Sequence, residues 1–356
     1  MSDIKELLNK VHNADHPDPA DIEHLLAADS HEEISGILDF ADSVRKNNIG
    51  DGVLLRGIVE FSNYCRNSCL YCGINRTNSN LTRYRMLIGE ITAAVGTIAL
   101  SGIKTVVLQS GEDNGLDASW LSGLIRKIKS GFDIRVTLSV GERSKEEYSA
   151  WKEAGADRFL LKIETTDEDI YAALHPGMSL KNRIECLKNL KGLGYETGSG
   201  NIVGLKGQTL GSIARDILFF KDTGLDMIGI GPFMPHQETL LSEESPGDLE
   251  MTLKTIALTR IVTKDTNIPA TTAIGSMERD CRADALKAGA NVLMPNFTPN
   301  PYKQLYDIYT GRRCSDEPQG ACNGCMERII NSIGRKIDYS KGDRLCTGHR
   351  QVTVCI

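Results

Sequence analysis

Three cysteines, Cys65, Cys69 and Cys72, stand in the spacing Cys-x3-Cys-x2-Cys within IVEFSNYCRNSCLYCGINRTN. Three thiolates so close on one segment can hold three irons of a cubane. The fourth iron then has no protein ligand and is open to a small molecule. A structural zinc site asks for four ligands, and no fourth Cys or His lies nearby. The start of the chain, MSDIKELLNKVHNADHPDP, is polar and amphipathic, which predicts a cytoplasmic protein. A reducing compartment disfavours a disulfide, and a [4Fe-4S] cluster best explains why three ligands suffice. A second group, Cys314, Cys322 and Cys325, has the spacing Cys-x7-Cys-x2-Cys. It suits a second iron–sulfur cluster, [2Fe-2S] or [4Fe-4S], with free thiols or a zinc site completed by Cys346 or His349 as the alternatives. Cys186 and Cys281 stand alone in helical patterns and are expected to be small buried hydrophobes.

A loop of this kind needs a scaffold. Eight short apolar runs recur along the chain: Leu54–Phe61, Thr105–Gln109, Ile134–Val140, Arg158–Ile163, Thr197–Val203, Met227–Ile230, Ile268–Ala273 and Val292–Met294. Most are rich in Val, Ile, Leu and Thr, as strands buried on both faces should be. Helical patterns separate them at Ile91–Leu100, Leu121–Ile128, Glu146–Ala154, Leu180–Leu193, Ser212–Thr223, Met251–Thr263 and Ala283–Ala288. Eight strand–helix units predict an α/β fold, a (β/α)8 TIM-type barrel, whose chemistry sits at the C-terminal ends of the strands. Residues 1–48 read as helices packed on the barrel. The barrel itself spans 49–310, and 311–356 reads as an irregular, Cys-containing tail. The net charge is −6 and no basic run suggests nucleic acid. No apolar run is long enough to predict a membrane span.

The strand ends supply further polar groups. The first cysteine segment follows the first run. The second run ends in Gln109 and the turn Gly111-Glu112-Asp113, and the third carries Thr137 and Ser139 on its inward face. Lys162 and Glu164, two apart on the fourth run, face the same way. They must pair with each other or bind a polar ligand, because unpaired charge in a barrel mouth is costly. The fifth carries the glycine-rich GSGNIVGLKGQT. Thr271, Thr272, Asn296 and Tyr306 on the last two could cradle a small polar substrate or satisfy one another.

The cysteine motif with an aromatic residue, Tyr71, before its last cysteine resembles the signature of radical S-adenosylmethionine (SAM) enzymes. The resemblance implies that SAM chelates the open iron and is cleaved to a 5′-deoxyadenosyl radical. It implies that Gly111, Glu112 and Asp113 receive the SAM amino group, that Glu164 holds the ribose and that Arg183 holds the carboxylate. Tyr71, Ser139, Val203 and Gly204 would complete the cofactor contacts. Gln109, Thr137, Lys162, Thr271, Thr272 and Tyr306 would face the substrate. From about residue 50 to 335, stretches such as TVVLQSGED, GLGYETGSGNIVGLKGQT, NIPATTAIGS and ANVLMPNFTPNPYKQLY look like the HydE family of [FeFe]-hydrogenase maturases, relatives of biotin synthase and methylornithine synthase. The tail cysteines match the auxiliary-cluster spacing of some members. Two positions depart from that pattern. Lys162-Ile163 stands where an arginine and often a histidine are usual, and Lys206 stands where a proline is common; lysine lacks arginine's bidentate fork. The resemblance implies a small iron complex as substrate, a flavodoxin- or ferredoxin-like electron donor and other hydrogenase maturases as partners. An amino-acid substrate is the alternative. An iron–sulfur carrier is the alternative of another class, but a carrier has no need of a carboxylate-lined pocket.

Overall fold

The computed structural model describes residues 2–313, 315 and 322–344. Among these residues the strands are β1 (Gly52–Leu55), β2 (Gly57–Ser62), β3 (Thr105–Ser110), β4 (Arg135–Ser139), β5 (Arg158–Leu160), β6 (Glu196–Ser199), β7 (Ile202–Val203), β8 (Met227–Ile228), β9 (Gly231–Pro232), β10 (Val292–Leu293) and β11 (Lys336–Asp338). A parallel ladder runs β2-β3-β4-β5-β6-β8. Single bridges continue it: Met227 with Asn267, Pro269 with Val292, and Asn296 with Ile58 back on β2. Backbone bonds from Ile228 to Asn267, Ala270 to Val292 and Phe297 to Ile58, of 2.8–2.9 Å, hold these junctions. The ring is therefore closed, and the TIM-type barrel expected from the sequence is present.

Two of the predicted runs are each split in two, and the sixth ends early at Ile228 with a further short strand beyond it. Arg56 parts β1 from β2, Gly200 and Asn201 part β6 from β7, and β8 is followed by β9. β7 and β9 pair with each other rather than with the main ladder. The seventh run makes no ladder, because Thr272–Gly275 turns helical.

The barrel helices start where side chains accept the free amides of a first turn, as Asp117, Ser144 and Asp248 do. Between helices and strands lies one apolar core that also contains Leu8, Val11, Leu25 and Ile37 from the helices Ser2–Asn13, Pro19–Leu26 and His31–Ile49. These helices pack against Leu249–Thr263. Their cover explains why every residue of that helix from Thr252 to Thr263 is buried.

The tail departs from the irregular segment expected. Cys322–Ser332 is a helix that buries Met326 and Ile330, and β11 pairs in parallel with β1. The chain then crosses the N-terminal mouth of the barrel. Arg56 and Asn267 both donate to the Gly342 carbonyl at 3.2 Å. Thr105 and Arg158 both donate to that of Lys341 at 2.9 Å. Arg344 pairs with Asp226 at 3.0 Å and Asp265 at 2.6 Å.

Candidate active site

Between β2 and the helix Ile88–Leu100 the chain has no regular structure beyond one bridge at Arg85, so its carbonyls need partners from elsewhere. The Arg83 guanidinium supplies them. It donates to the carbonyls of Asn63 (2.6 Å), Ile74 (2.8 Å), Asn75 (2.5 Å) and Asn78 (3.2 Å). Asn75 donates to the Cys72 carbonyl at 2.6 Å. The cysteine segment is thus a fixed loop.

Gly111, at the end of β3, lies against that loop. A Cβ there would come within 2.3 Å of the Tyr64 carbonyl oxygen and 2.8 Å of the Cys65 Cβ. The glycine in this turn is needed for approach of the cysteine loop, where the sequence suggested approach of a ligand.

Cys65, Cys69 and Cys72 line one cavity of about 370 Å³ at the C-terminal mouth. Burial raises the Cys65 thiol, partly offset by the backbone amides of Asn67 and Glu112, which favour its thiolate. Cys69 is raised well above the ordinary value by burial and by its two partner cysteines. Cys72 is pushed up to about 12 by burial and the charge of Cys65.

Around the cysteines stands a ring of charge. Arg183, on the helix Leu180–Gly192, is nearly buried and donates to Glu142 at 2.7 Å, Glu112 at 3.3 Å and the Lys162 carbonyl at 3.1 Å. Glu112 also pairs with Arg66 at 3.1 Å. Lys162 and Glu164 pair at 2.9 Å, yet Glu164 Oε2 is buried without an aligned hydrogen bond. Glu164 takes φ of +65°, a left-handed conformation that costs a non-glycine residue about 1–2 kcal/mol.

Tyr71 is half-buried and its hydroxyl lies 2.9 Å from His175 Nε2. His175 Nδ1 lies 3.0 Å from the Tyr171 carbonyl, which can only accept, so Nδ1 carries the proton and Tyr71 donates to Nε2. Burial lowers the His175 pKa, keeping the ring neutral, and raises that of Tyr71 well above the ordinary value. Deeper in the cavity, Gln109 donates to the Tyr306 hydroxyl at 3.3 Å. Arg312 pairs with Glu60 and donates to the Tyr306 carbonyl at 2.9 Å.

Of the residues proposed from the sequence, the cysteines, Tyr71, Gln109, Gly111, Glu112, Ser139, Lys162, Glu164, Arg183, Thr271, Thr272 and Tyr306 line this cavity. Four do not. The Asp113 carboxylate is held by Arg85 at 2.7 Å and Ser62 at 2.6 Å. Thr137 is fully buried within β4. Val203 is buried and pairs with β9, while the exposed Gly204 turns away at φ +91°; Ile202 faces the cavity in their place. Cys314 lies outside the described residues, as do Cys346 and His349, and nothing of the Cys322 side chain is described. Cys325 is half-buried, 3.9 Å from the Arg282 guanidinium. Sequence reasoning missed Arg83, Glu142, His175 and the Glu60–Arg312 pair. The missed helix Glu168–Leu174 ends at His175, and the Pro176 after it was the available stop signal.

Residues 59–220 match the Radical SAM superfamily. Barrel, cysteine triad and polar cavity together define a radical SAM enzyme, a class that works with a [4Fe-4S] cluster and SAM. The chain is 48% identical over 308 residues to the [FeFe] hydrogenase maturase subunit HydE of Thermotoga maritima, covering 86% of this chain and 88% of that one. It belongs to the same family. It is 28% identical over 275 residues to 3-methylornithine synthase of Methanosarcina acetivorans, 77% of each chain. The crystal structure of a methylornithine synthase (PylB) superposes with a TM-score of 0.82 at 26% identity, covering 93% of this chain and 97% of that one.

The residues fit both cofactors. The three thiols share one cavity, and burial makes their ionisation depend on a cation beside them. The Glu164 carboxylate lines the cavity with the Lys162 ammonium as its ion partner and has lone pairs left to accept from ribose hydroxyls.

Proposed function

We propose that the protein is a HydE-type maturase. It acts on a small iron complex, a cysteine-bound mononuclear iron bearing CO and cyanide, during assembly of the [FeFe]-hydrogenase active-site cluster. The observation that carries this reading is the 48% identity over 86% of the chain. With cluster and SAM bound, the pair supplies reductive cleavage of a carbon–sulfur bond and hence an alkyl radical. Cys65, Cys69 and Cys72 hold the cluster. Glu164 accepts from the SAM ribose, and Arg183, braced by Glu112 and Glu142, presents its remaining donor edge to the SAM carboxylate. The Tyr71 ring, fixed by His175, walls the adenine side. Lys162, Thr271, Thr272, Gln109 and Tyr306 orient the substrate, and the closed barrel keeps water from it. The electron donor is a flavodoxin- or ferredoxin-like protein, and other hydrogenase maturases supply the substrate and take the product.

The experiment is in vitro maturation of apo-[FeFe]-hydrogenase with the other maturation components and with or without this protein. Hydrogenase activity that requires it, and that is lost in Cys69→Ala, supports the proposal. A second reading is favoured by Lys162, which departs from the maturase pattern, and by the similarity to 3-methylornithine synthase. Conversion of lysine to a branched isomer, with no support of maturation, would establish that reading instead. We propose further that Cys314, Cys322 and Cys325 hold a second iron–sulfur cluster dispensable for SAM cleavage. Replacing all three with serine should lower iron and sulfide by one cluster per chain and leave deoxyadenosine formation within a few-fold; loss of zinc alone would refute it.

A further inference from the structure

We infer that Asp216, on the outer helix Leu210–Asp222, is a positioning residue for SAM: it ties two strand ends together so that Glu164 is presented to the cavity. The inference rests on the radical SAM reading of the site. Asp216 touches neither cavity nor solvent and is 0% exposed. Its carboxylate accepts from the Thr166 amide and the Thr166 hydroxyl, both at 2.7 Å, and from the Asn201 side-chain amide at 2.9 Å. No cation pairs with it among the described residues. The adjacent Arg215 turns outward to Asp167 at 3.1 Å.

The groups it gathers flank Glu164 on both sides. Thr166 lies two residues beyond Glu164, and Asn201 is its bridge partner across the barrel wall. Glu164 N donates to the Gly200 carbonyl and Ile202 N to the Glu164 carbonyl, each at 3.0 Å. Ile202, next to Asn201, lines the cavity. A left-handed glutamate persists only where its surroundings over-determine it. The bridge to Asn201 holds one side of Glu164, and Asp216 holds the other through Thr166. Without the carboxylate, the two Thr166 donors and the buried Asn201 amide lose their acceptor and the turn at 164–166 is free to relax, withdrawing the Glu164 carboxylate from the cavity. A carboxylate that merely filled a polar core would affect stability alone.

The test is titration of the reconstituted holoenzyme with SAM, by calorimetry and by the change SAM causes in the EPR signal of the reduced cluster. Asp216→Ala should raise the SAM dissociation constant about tenfold or more, with iron per chain unchanged and kcat at saturating SAM within about twofold. Asp216→Asn should stay within about threefold of wild type: its one oxygen can accept both Thr166 bonds, and the Asn201 amide, whose oxygen has no partner, can turn to accept the third. Should Asp216→Ala fail to fold, Thr166→Val removes one bond and should weaken SAM binding several-fold with iron per chain unchanged. Wild-type SAM affinity in Asp216→Ala, or in Thr166→Val if that is the variant that folds, overturns the inference. Failure of the wild-type holoenzyme to bind SAM would sink the reading of the site, a result distinct from failure of the clamp.

Discussion

A single arginine does two jobs at the mouth of this barrel. Arg183 is placed to meet a ligand, yet it also neutralises Glu142 and Glu112, both buried. Its removal leaves buried Glu142 without its cation and Glu112 with Arg66 alone, and breaking a buried pair in this way costs about 3–5 kcal/mol. Arg183→Ala should therefore lower the urea midpoint of the apoprotein as well as SAM affinity; an unaltered midpoint would mean that Arg66 and water compensate. Cys69→Ala gives a cleaner separation. It should abolish the [4Fe-4S] signal and SAM cleavage, since the remaining two thiols leave two irons unheld; iron content equal to wild type would refute the ligand assignment. The contrast marks what was legible in the sequence. The cysteine triad could be read because its ligands lie within eight residues, and local spacing carries the chemistry. The partners of Arg183 come from the ends of β3 and β4, so nothing in its own neighbourhood distinguished it from a solvated helix residue. Only the family resemblance singled out Arg183, and nothing singled out His175, whose hydrogen bond to Tyr71 spans 104 positions.

Among the elements, the helix Leu210–Asp222 carries an unusual burden in Asp216. Burial raises this carboxyl from 3.8 to about 6, so the fold disfavours its charged form. A raised folded-state pKa contributes stability that is complete below 3.8 and is lost as pH rises through about 6. Asp216→Asn should erase this dependence. Relative to that variant, the wild-type melting temperature should fall between pH 4 and 6.5 and then level off; parallel curves would show that the carboxyl titrates normally. Most elements were visible as apolar periodicity, because strands buried on both faces leave an unbroken Val/Ile/Leu signal. The breaks at Arg56 and Gly200 were not. They follow from ring closure, where one position must turn inward or bend to meet neighbours the local sequence does not know. The helical start at Thr272 is of the same kind.

For the molecule as a whole, the segment after β11 is part of the barrel rather than an appendage. Arg344 ties Asp226 and Asp265, and Asp343 meets Arg135 and Arg158, across a mouth lined by cations. Arg344→Ala should cost about 2–3 kcal/mol in chemical denaturation while leaving SAM cleavage by the folded fraction unchanged; a neutral effect would place Arg344 among surface pairs of little worth. The register of β1 carries a consequence in time. Both of its neighbours, β10 and β11, come from the last quarter of the chain, and the cysteine loop leans on residues equally late, Gly73 donating to the Ile308 carbonyl at 3.0 Å. On a ribosome that adds about 5–20 residues per second, the first strand of the barrel waits tens of seconds for its companions. Until then the three thiols sit on a loop held by its local Arg83 bonds alone, without the Ile308 carbonyl that completes it.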